Sequence, residues 1–244
     1  MQYLYAIKWI YYPTYSMTKN WIYSLYVKNW LTAENNHILD QIRPSDSIAF
    51  HKPRLDRRGG GVAIICKPVL KPVQQDTDAF DSFEHIIVET QSKESRFTLV
   101  NLYRPPSSNL SQFFEEFASL LDIISFRKEP ILVCGDFNIH TQNATDSSKR
   151  KLDDILTKHD LIQHVRDPTH TTGNTIDLIM TRSSDSIVHL ADVGCFISDH
   201  SLVSAQLHIN KPPTGPGTST FRKIRDINIE KFKNDIRKLL NTTI

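Results

Sequence analysis

Apolar and polar positions alternate in blocks along the middle of the chain, where short apolar runs are separated by turn-forming residues. Runs of roughly four to eight apolar and β-branched residues are typical of buried strands. This pattern predicts strands at 62–66, 85–89, 97–103, 131–134, 175–181 and 202–207. Apolar residues three and four apart predict helices over 113–124, with Ser111 as the N-cap, and over 149–158. Strands interleaved with helices predict the α/β class.

Both ends of the chain differ from this middle part. Residues 1–30 hold three Trp and seven Tyr without helical spacing or strand alternation, so we predict an irregular segment that is unrelated to the rest. Residues 31–209 are expected to form one domain. Pro and Gly recur in 210–218, which is typical of a linker. The spacing of apolar residues in 219–244 predicts one amphipathic helix as a tail.

Composition changes this picture only slightly. Hydrophobic residues make up 39% and charged residues 23% of the chain, which is enough apolar sequence to bury a substantial core. A net charge of +2 permits a nucleic-acid partner without arguing for one. Three widely spaced cysteines predict no disulfide framework and hence a reducing compartment. We find neither a run long enough for a membrane span nor a secretion signal, and therefore expect an intracellular protein.

A carboxylate and an amide follow the strand predicted at 131–134. Alternation places Asp136 and Asn138 on one side of the chain and Phe137 on the other. Strand ends in α/β sheets face the ligand crevice, so this pair could orient a phosphate, a water or a hydrated divalent ion. The alternative is an ordinary turn, because Gly, Asp and Asn favour turns in any case.

A second group of candidates lies towards the C-terminal part of the domain. Asp177 interrupts an apolar strand, and a buried carboxylate is costly unless it is paired. His200 would satisfy it and could serve as a general base or contact a phosphate. The alternatives are an edge-strand charge for Asp177 and a structural role for His200. Tyr103 and Arg104 lie at another strand end, where a simple turn is the alternative.

The order of these motifs is more specific than any one of them. The chain reads GGGVAI, NLYRPP, ILVCGDFN, DPTHTTGNTIDLIM and ISDHSLV. This series resembles the endonuclease/exonuclease/phosphatase superfamily. The amino-acid sequences of the motifs are most similar to those of the endonuclease domains of non-LTR retrotransposons. The resemblance covers roughly residues 30–207. It implies a DNase I-like fold of two packed β-sheets flanked by helices, a four-layer α/β sandwich.

The resemblance also implies a role for each candidate. Asp136 would help to activate the attacking water, Asn138 would orient the phosphate, and Asp177 would hold the catalytic His200. Asp199 would be a metal ligand, and Tyr103 would contact the phosphate. The residues implied to contact DNA or to line the site are Thr169, Ser198 and Arg104. The implied cofactor is Mg²⁺ or Mn²⁺, and the implied location is the nucleus. The implied partners are DNA and the reverse transcriptase of the parent element, which is not part of this chain.

The N-terminal part departs from the family pattern. The family has an asparagine at the end of its first strand and a metal-binding glutamate in a Glu-Thr-Trp-Leu-like segment. Here Lys28 stands at the position of the glutamate, Glu34 is in a different register, and Asn20 lies too close to serve as the asparagine. Two unit charges about 4 Å apart interact by about 4 kcal/mol at an effective dielectric constant near 20. A lysine there is therefore expected to weaken metal binding.

These observations leave several functional hypotheses open. The leading one is a metal-dependent DNA endonuclease. The second is a catalytically inactive DNA-binding remnant of a retrotransposon open reading frame, which Lys28 favours. A phosphatase acting on lipid or small phosphoesters would share the fold, but the residues of the motifs do not support this hypothesis.

Overall fold

The computed structural model describes residues 6–12, 20–26, 39, 43–52, 61–91, 96–196, 198–207 and 233; for 6–12 and 20–26 it describes the backbone. The chain divides into two compact units, Met1–Pro212 and Pro213–Ile244. This division falls within the segment 210–218 that the sequence indicates as a linker. The helix predicted in 219–244 lies outside the described residues except for Lys233, which is helical.

Twelve strands are formed by the described residues. They are β1 (Ala6–Tyr12), β2 (Asn20–Tyr26), β3 (Ile48–Lys52), β4 (Val62–Cys66), β5 (Pro72–Gln75), β6 (Glu84–Thr90), β7 (Thr98–Tyr103), β8 (Ile131–Asp136), β9 (Leu161–Gln163), β10 (Asp177–Arg182), β11 (Val188–Phe196) and β12 (Ser201–Leu207). The first sheet has the order β11-β12-β1-β2-β4-β3, and the second has the order β5-β6-β7-β8-β10-β9. All the strands predicted from apolar runs are present, and their bounds agree with the predicted ones to within two residues.

Two helices cover the outer face of the second sheet. Helix α1 spans Leu110–Ser125 and helix α2 spans Ser147–Lys158. Their apolar sides pack with one face of the second sheet in a single cluster, which includes Phe113, Phe117, Leu152, Val133 and Leu178. Asn109 is the N-cap of α1, and its Oδ1 accepts the backbone N–H of Ser111 at 2.9 Å. The prediction of Ser111 as the N-cap is wrong, because an earlier amide oxygen already satisfies the first turn.

The other face of the second sheet packs against the first sheet. Apolar side chains from both sheets form this inner core, among them Val62, Ile64 and Val203 from the first and Ile86, Leu99, Leu132 and Ile179 from the second. Asn101 of β7 adds a polar link, since its Nδ2 donates to the carbonyl of Ala63 in β4 at 3.1 Å. The predicted α/β fold with two packed sheets is therefore confirmed. None of the helices in the described part of the chain has the length and apolarity that crossing a membrane requires.

The prediction of an irregular segment over 1–30 is wrong for two stretches of it. Strand β1 pairs with β12 in parallel and with β2 in antiparallel orientation, and β2 pairs with β4. Both strands therefore lie in the interior of the first sheet. Their sequences are rich in aromatic and β-branched residues, which favour strands. Neither sequence alternates strictly between apolar and polar residues, so the pattern that the prediction looked for is missing from both strands.

Buried His85 gives the fold a testable dependence on pH. The ring lies on the helix-covered face of β6, is 1% exposed, and forms a hydrogen bond with the hydroxyl of Thr77 at 2.7 Å. Burial, helped by the charge of Lys52, lowers the pKa of His85 from 6.5 to about 4. The unfolded chain therefore takes up a proton before the folded protein does as the pH falls below 6.5.

We predict that the free energy of unfolding decreases between pH 6.5 and pH 4 by up to roughly 3 kcal/mol on account of His85, since each pKa unit corresponds to about 1.36 kcal/mol. Urea denaturation of the wild type and of His85→Gln at pH 7 and at pH 4.5 measures this contribution. The variant should be less stable than the wild type at pH 7 and lose less stability on acidification. An equal loss in both proteins would contradict the assignment.

Candidate active site

Three of the candidate site residues lie side by side on neighbouring strands of the second sheet. Tyr103 of β7 pairs with Asp136 of β8, and Asp136 pairs with Asp177 of β10. Paired residues of neighbouring strands direct their side chains to the same face, and the strands lie about 4.8 Å apart. Tyr103 belongs to the core between the two sheets, so the row faces the first sheet. β7 and β8 both end here and β10 begins here, which brings the three residues to one edge.

Gly135 permits the close approach that this row needs. A Cβ atom at position 135 would lie 1.9 Å from the carbonyl oxygen of Leu102 in β7. No side chain fits at that distance, so the glycine before Asp136 is required by packing. Phe137 is fully buried on the opposite side, with its ring 5.4 Å from that of Phe117 in α1. The predicted alternation, with Asp136 and Asn138 on one side and Phe137 on the other, is confirmed.

Asp136 and Asn138 form a closed hydrogen-bonded pair. Oδ1 of Asp136 accepts the backbone N–H of Asn138 at 3.0 Å, and Oδ2 accepts its Nδ2 at 2.9 Å. Asn138 has a φ of 49°, a left-handed conformation that asparagine tolerates better than most residues. Its Nδ2 also donates to the carbonyl of Arg104 at 2.8 Å. The carboxylate and the amide are thus held in one geometry before any ligand binds.

Arg104 positions this loop from the inside. Its side chain is buried, with Nε donating to the carbonyl of Phe137 at 2.6 Å and Nη2 donating to that of Asn138 at 2.7 Å. Nη1 donates to Oγ of Ser108 at 3.1 Å. Every guanidinium nitrogen of Arg104 is thus hydrogen-bonded to the protein, and the contact of Arg104 with DNA stays a prediction. The charged group serves to fix the two residues after Asp136.

The expected partner of Asp177 is present. Nδ1 of His200 lies 2.8 Å from Oδ2 of Asp177, and the two residues are 1% and 0% exposed. The predicted hydrogen bond between them is confirmed. It fixes the orientation of the imidazole and turns the opposite ring nitrogen, Nε2, away from the carboxylate.

Thr169 and Ser198 hold this pair through backbone contacts. Oγ1 of Thr169 accepts the backbone N–H groups of Ile176 and Asp177, both at 3.1 Å, and Thr169 is 0% exposed. Thr169 thereby positions the start of β10, and its contact with DNA stays a prediction. Oγ of Ser198 accepts the backbone N–H of His200 at 3.2 Å. Ser198 is half-buried, and its contact with a substrate stays a prediction.

The electrostatic surroundings of His200 favour its charged form. Burial, the largest single effect, lowers its pKa, but the hydrogen bond and the charge of Asp177 together with the charges of Asp136 and Asp199 outweigh it. The net result is that the pKa of His200 is raised above its usual 6.5. Asp136 and Asp199 are therefore close enough to His200 to act on its ionisation. Asp136, Asn138, Asp177, Asp199 and His200 converge as predicted, while their chemical roles stay predictions.

His170 joins this group and was not anticipated. A β-bridge links His170 to His200, and their rings stand nearly perpendicular with centroids 4.9 Å apart. Nε2 of His170 lies 3.7 Å from Oδ2 of Asp199. Metal-binding atoms of His170, Asp199 and His200 all lie within 4.8 Å of one another. The signal in the sequence was the position of His170 directly after Thr169 in the DPTHTTGNTIDLIM motif.

Lys28 and Glu34 lie outside the described residues, so the predictions about them stay predictions. Asn20 does lie within them, as the first residue of β2. Strand β1 ends at Tyr12, and its end pairs with the start of β2.

Part of the chain matches a known protein family. Residues 97–204 match the family described as endonuclease-reverse transcriptase. This segment contains the row Tyr103, Asp136 and Asp177 together with His200. Among curated proteins, none matches the chain.

Solved structures with the same fold span most of the chain. The endonuclease domain of TRAS1, a telomere-specific non-LTR retrotransposon, is 15% identical with a TM-score of 0.58 and covers 69% of this chain and 83% of its own. AP endonuclease LMAP from Leishmania major is 13% identical, with a TM-score of 0.59 and coverage of 74% and 76%. The 3′ phosphatase NExo from Neisseria, bound to a product DNA hairpin, is 13% identical, with a TM-score of 0.57 and coverage of 84% and 100%. Identities this low show a shared fold.

The Asp177–His200 pair leads to a prediction about Asp177→Asn. The pKa of His200 should fall, because the negative charge that favours its protonation is removed. A raised pKa stabilises the folded protein below the unfolded value of 6.5, and this contribution is lost as the pH rises through the folded pKa. The variant should therefore lose more unfolding free energy relative to the wild type at pH 5.5 than at pH 8.5.

Histidine NMR titration and urea denaturation, both without added metal, measure these two effects. Asp122→Asn is a matched control, since Asp122 contacts the ring of His159 on the helical surface at 3.1 Å. That variant should leave the titration of His200 unchanged. An unaltered His200 pKa in Asp177→Asn would contradict the pairing.

Proposed function

We propose that this chain, which belongs to the endonuclease/exonuclease/phosphatase superfamily, is a retrotransposon-type endonuclease domain that hydrolyses DNA phosphodiesters with a divalent metal ion. The family match and the shared fold confirm the superfamily recognised in the sequence. The observation that carries the proposal is the meeting of Asp136–Asn138 with the Asp177–His200 pair at one sheet edge. A pre-arranged acid, amide and imidazole are the groups that positioning a phosphate and a water requires.

The nature of the related structures supports DNA as the substrate. One is the endonuclease domain of a non-LTR retrotransposon, one is an AP endonuclease, and one is a 3′ phosphatase bound to a DNA hairpin. Their identities to this chain are 13–15%, so the substrate rests on the site chemistry together with the endonuclease-reverse transcriptase match over 97–204.

Asp199 is the residue that would hold the ion. Its carboxylate is half-buried at the edge of the site, 3.7 Å from the ring of His170. Carboxylate oxygens are the ligands that Mg²⁺ and Mn²⁺ prefer, so this donor fits the group that the family implies. When bound, such an ion would polarise a phosphoryl oxygen and stabilise the leaving oxygen. The glutamate that would be its second acidic ligand is replaced by Lys28.

The other roles in the proposed hydrolysis fall to residues of this chain. Asp136 accepts a proton from the attacking water, and Asn138, whose Nδ2 donates to Asp136 and to the carbonyl of Arg104, holds this carboxylate in place. His200 donates from Nε2 to a phosphate oxygen in its protonated form, which its raised pKa favours. Asp177 keeps the ring in the orientation that directs Nε2 outwards. Tyr103, 4% exposed beside Asp136, contacts the phosphate through its hydroxyl.

A second candidate function is DNA binding without cleavage. It is favoured by one specific observation, the lysine at the position of the metal-binding glutamate. Under this candidate the hydrogen-bonded site keeps its geometry but binds the ion too weakly for turnover.

A plasmid-nicking assay distinguishes the two candidates. With Mg²⁺ or Mn²⁺, we predict slow nicking that a chelator abolishes and that His200→Ala lowers by at least about 100-fold, as expected for loss of a general acid or base. His189→Gln serves as the control, since His189 is exposed and lies near the Leu207 end of β12, away from His200. Nicking that is insensitive to His200→Ala would contradict the proposal. DNA binding without metal-dependent nicking would support the second candidate instead.

Lys28→Glu tests the cause of the slow rate. Loss of a metal ligand typically removes several kcal/mol of transition-state stabilisation, and each 1.36 kcal/mol is about tenfold in rate, so we expect a deficit on the order of 10³-fold or more. Lys28→Glu alone should restore little, because the asparagine of the family's first strand is still missing. Replacing 1–30 with a family sequence that carries both residues should restore nicking.

Lys128→Glu controls for the change in net charge. Lys128 is exposed in the loop before β8, at the end of that strand opposite Asp136. Its substitution should leave the nicking rate at the level of the unmodified chain or below it. Rapid Mg²⁺-dependent nicking by the unmodified chain would show that Lys28 does not impair the site.

A further inference from the structure

Phe196 is exposed although it faces the inner side of the first sheet. Along β12 the buried residues Ser201, Val203, Ala205 and Leu207 alternate with half-buried ones and form the face towards the second sheet. In the antiparallel pair of β11 and β12, Phe196 is the partner of Ser201. Paired residues direct their side chains to the same face, so Phe196 points towards the second sheet. It is nevertheless 55% exposed.

Other residues of β11 follow the usual relation between direction and burial. Val188 and Val193 also face inwards, and both pack against the core between the sheets. Leu190 is 56% exposed, but it pairs with Gln206 on the outer face, where exposure is expected. Phe196 differs from both groups, since it faces inwards and is still accessible. The ring therefore lies at an open end of the sandwich, where the second sheet does not cover the first.

A β-bulge brings Phe196 to this position. Val193 pairs with Val203 and Phe196 pairs with Ser201, so β11 contains one residue more than β12 over this stretch. With regular pairing, Cys195 would be the partner of Ser201. Bulges are frequent beside active sites, where they redirect a side chain. The irregularity thus places an aromatic ring where regular pairing would place a thiol.

The open end at Phe196 is the end that carries the candidate active site. Its partner Ser201 directly follows His200, whose ring contacts Asp177 of the second sheet. Neighbouring strands lie about 4.8 Å apart, so the backbone of Phe196 lies about one strand spacing from the residue after His200. Asp136 and Asp177 face the first sheet, whereas Phe196 faces the second. The ring therefore borders the same cleft.

An accessible aromatic ring beside a group that binds a phosphate suits a nucleobase. Aromatic side chains stack on bases irrespective of their sequence, because every base has a π-face. In an intact duplex, however, each base is covered by its neighbours, and exposing it costs unstacking and unpairing energy. This cost is smallest where the base is already unpaired. A ring at this place therefore favours DNA with unpaired bases over a regular duplex.

We propose that Phe196 stacks on an unpaired base next to the phosphate that His200 contacts, so that the chain prefers DNA with locally unpaired bases. This inference rests on the proposed function, from which DNA comes as the substrate, and it narrows the class of that substrate. Stacking requires neither a metal ion nor cleavage. It therefore applies both to an active endonuclease and to a domain that binds DNA without cleaving it.

Fluorescence anisotropy with labelled DNA and a chelator measures this contact without cleavage. The DNAs are a fully paired duplex, a duplex with a central unpaired loop, and the same duplex with abasic nucleotides in the loop. The wild type should bind the unpaired loop most tightly. Phe196→Ala should weaken this binding at least about fivefold, the lower limit for loss of one aromatic–base stack. Its binding of the abasic loop should equal that of the wild type.

Three further variants separate stacking from other effects of the substitution. Leu190→Ala is the matched control, since Leu190 is as exposed on the same strand but faces outwards. It should bind every DNA as the wild type does. Phe196→Trp keeps an aromatic ring and should keep the preference for the unpaired loop. Phe196→Leu keeps an apolar side chain without a ring and should behave like Phe196→Ala.

Circular dichroism shows whether each variant is folded, which the exposure of Phe196 favours. Wild-type affinity of folded Phe196→Ala for the unpaired loop would overturn the stacking contact and leave the proposed function intact. Wild-type preference in Phe196→Leu would also overturn it, since no ring is then required. If the wild type binds none of the DNAs, the proposed function itself fails, and this inference fails with it.

Discussion

The pairing of β7 with β8 and of β8 with β10 is the constraint on which the site depends. Tyr103, Asp136 and Asp177 lie in one row only because three strands share this register. A slip of one residue in any pair would turn a side chain to the helix-covered face. Gly135 protects the register, since a side chain there would collide with the carbonyl of Leu102. A packing requirement in the backbone thus determines where the chemical groups meet.

The site also depends on hydrogen bonds that satisfy its buried charges. Asp136, Asp177 and Arg104 are almost inaccessible, and a buried charge is costly unless hydrogen bonds satisfy it. The chain meets this cost with local contacts: Asn138 bonds to Asp136, His200 to Asp177, and the loop carbonyls to Arg104. The same bonds fix the positions of these groups relative to one another. Stability and pre-organisation therefore arise from one set of interactions.

The sequence allowed some of this to be predicted, and the reasons differ by residue. The partner of Asp177 was predictable because a carboxylate in an apolar strand must be paired. The hydrogen bonds of Arg104 and Thr169 to backbone groups were not, since a motif does not reveal which backbone groups a polar side chain will contact. Strands β1 and β2 were missed because their sequences do not alternate strictly between apolar and polar residues. His170 was missed because its importance comes from a bridge to His200, 30 positions further along the sequence.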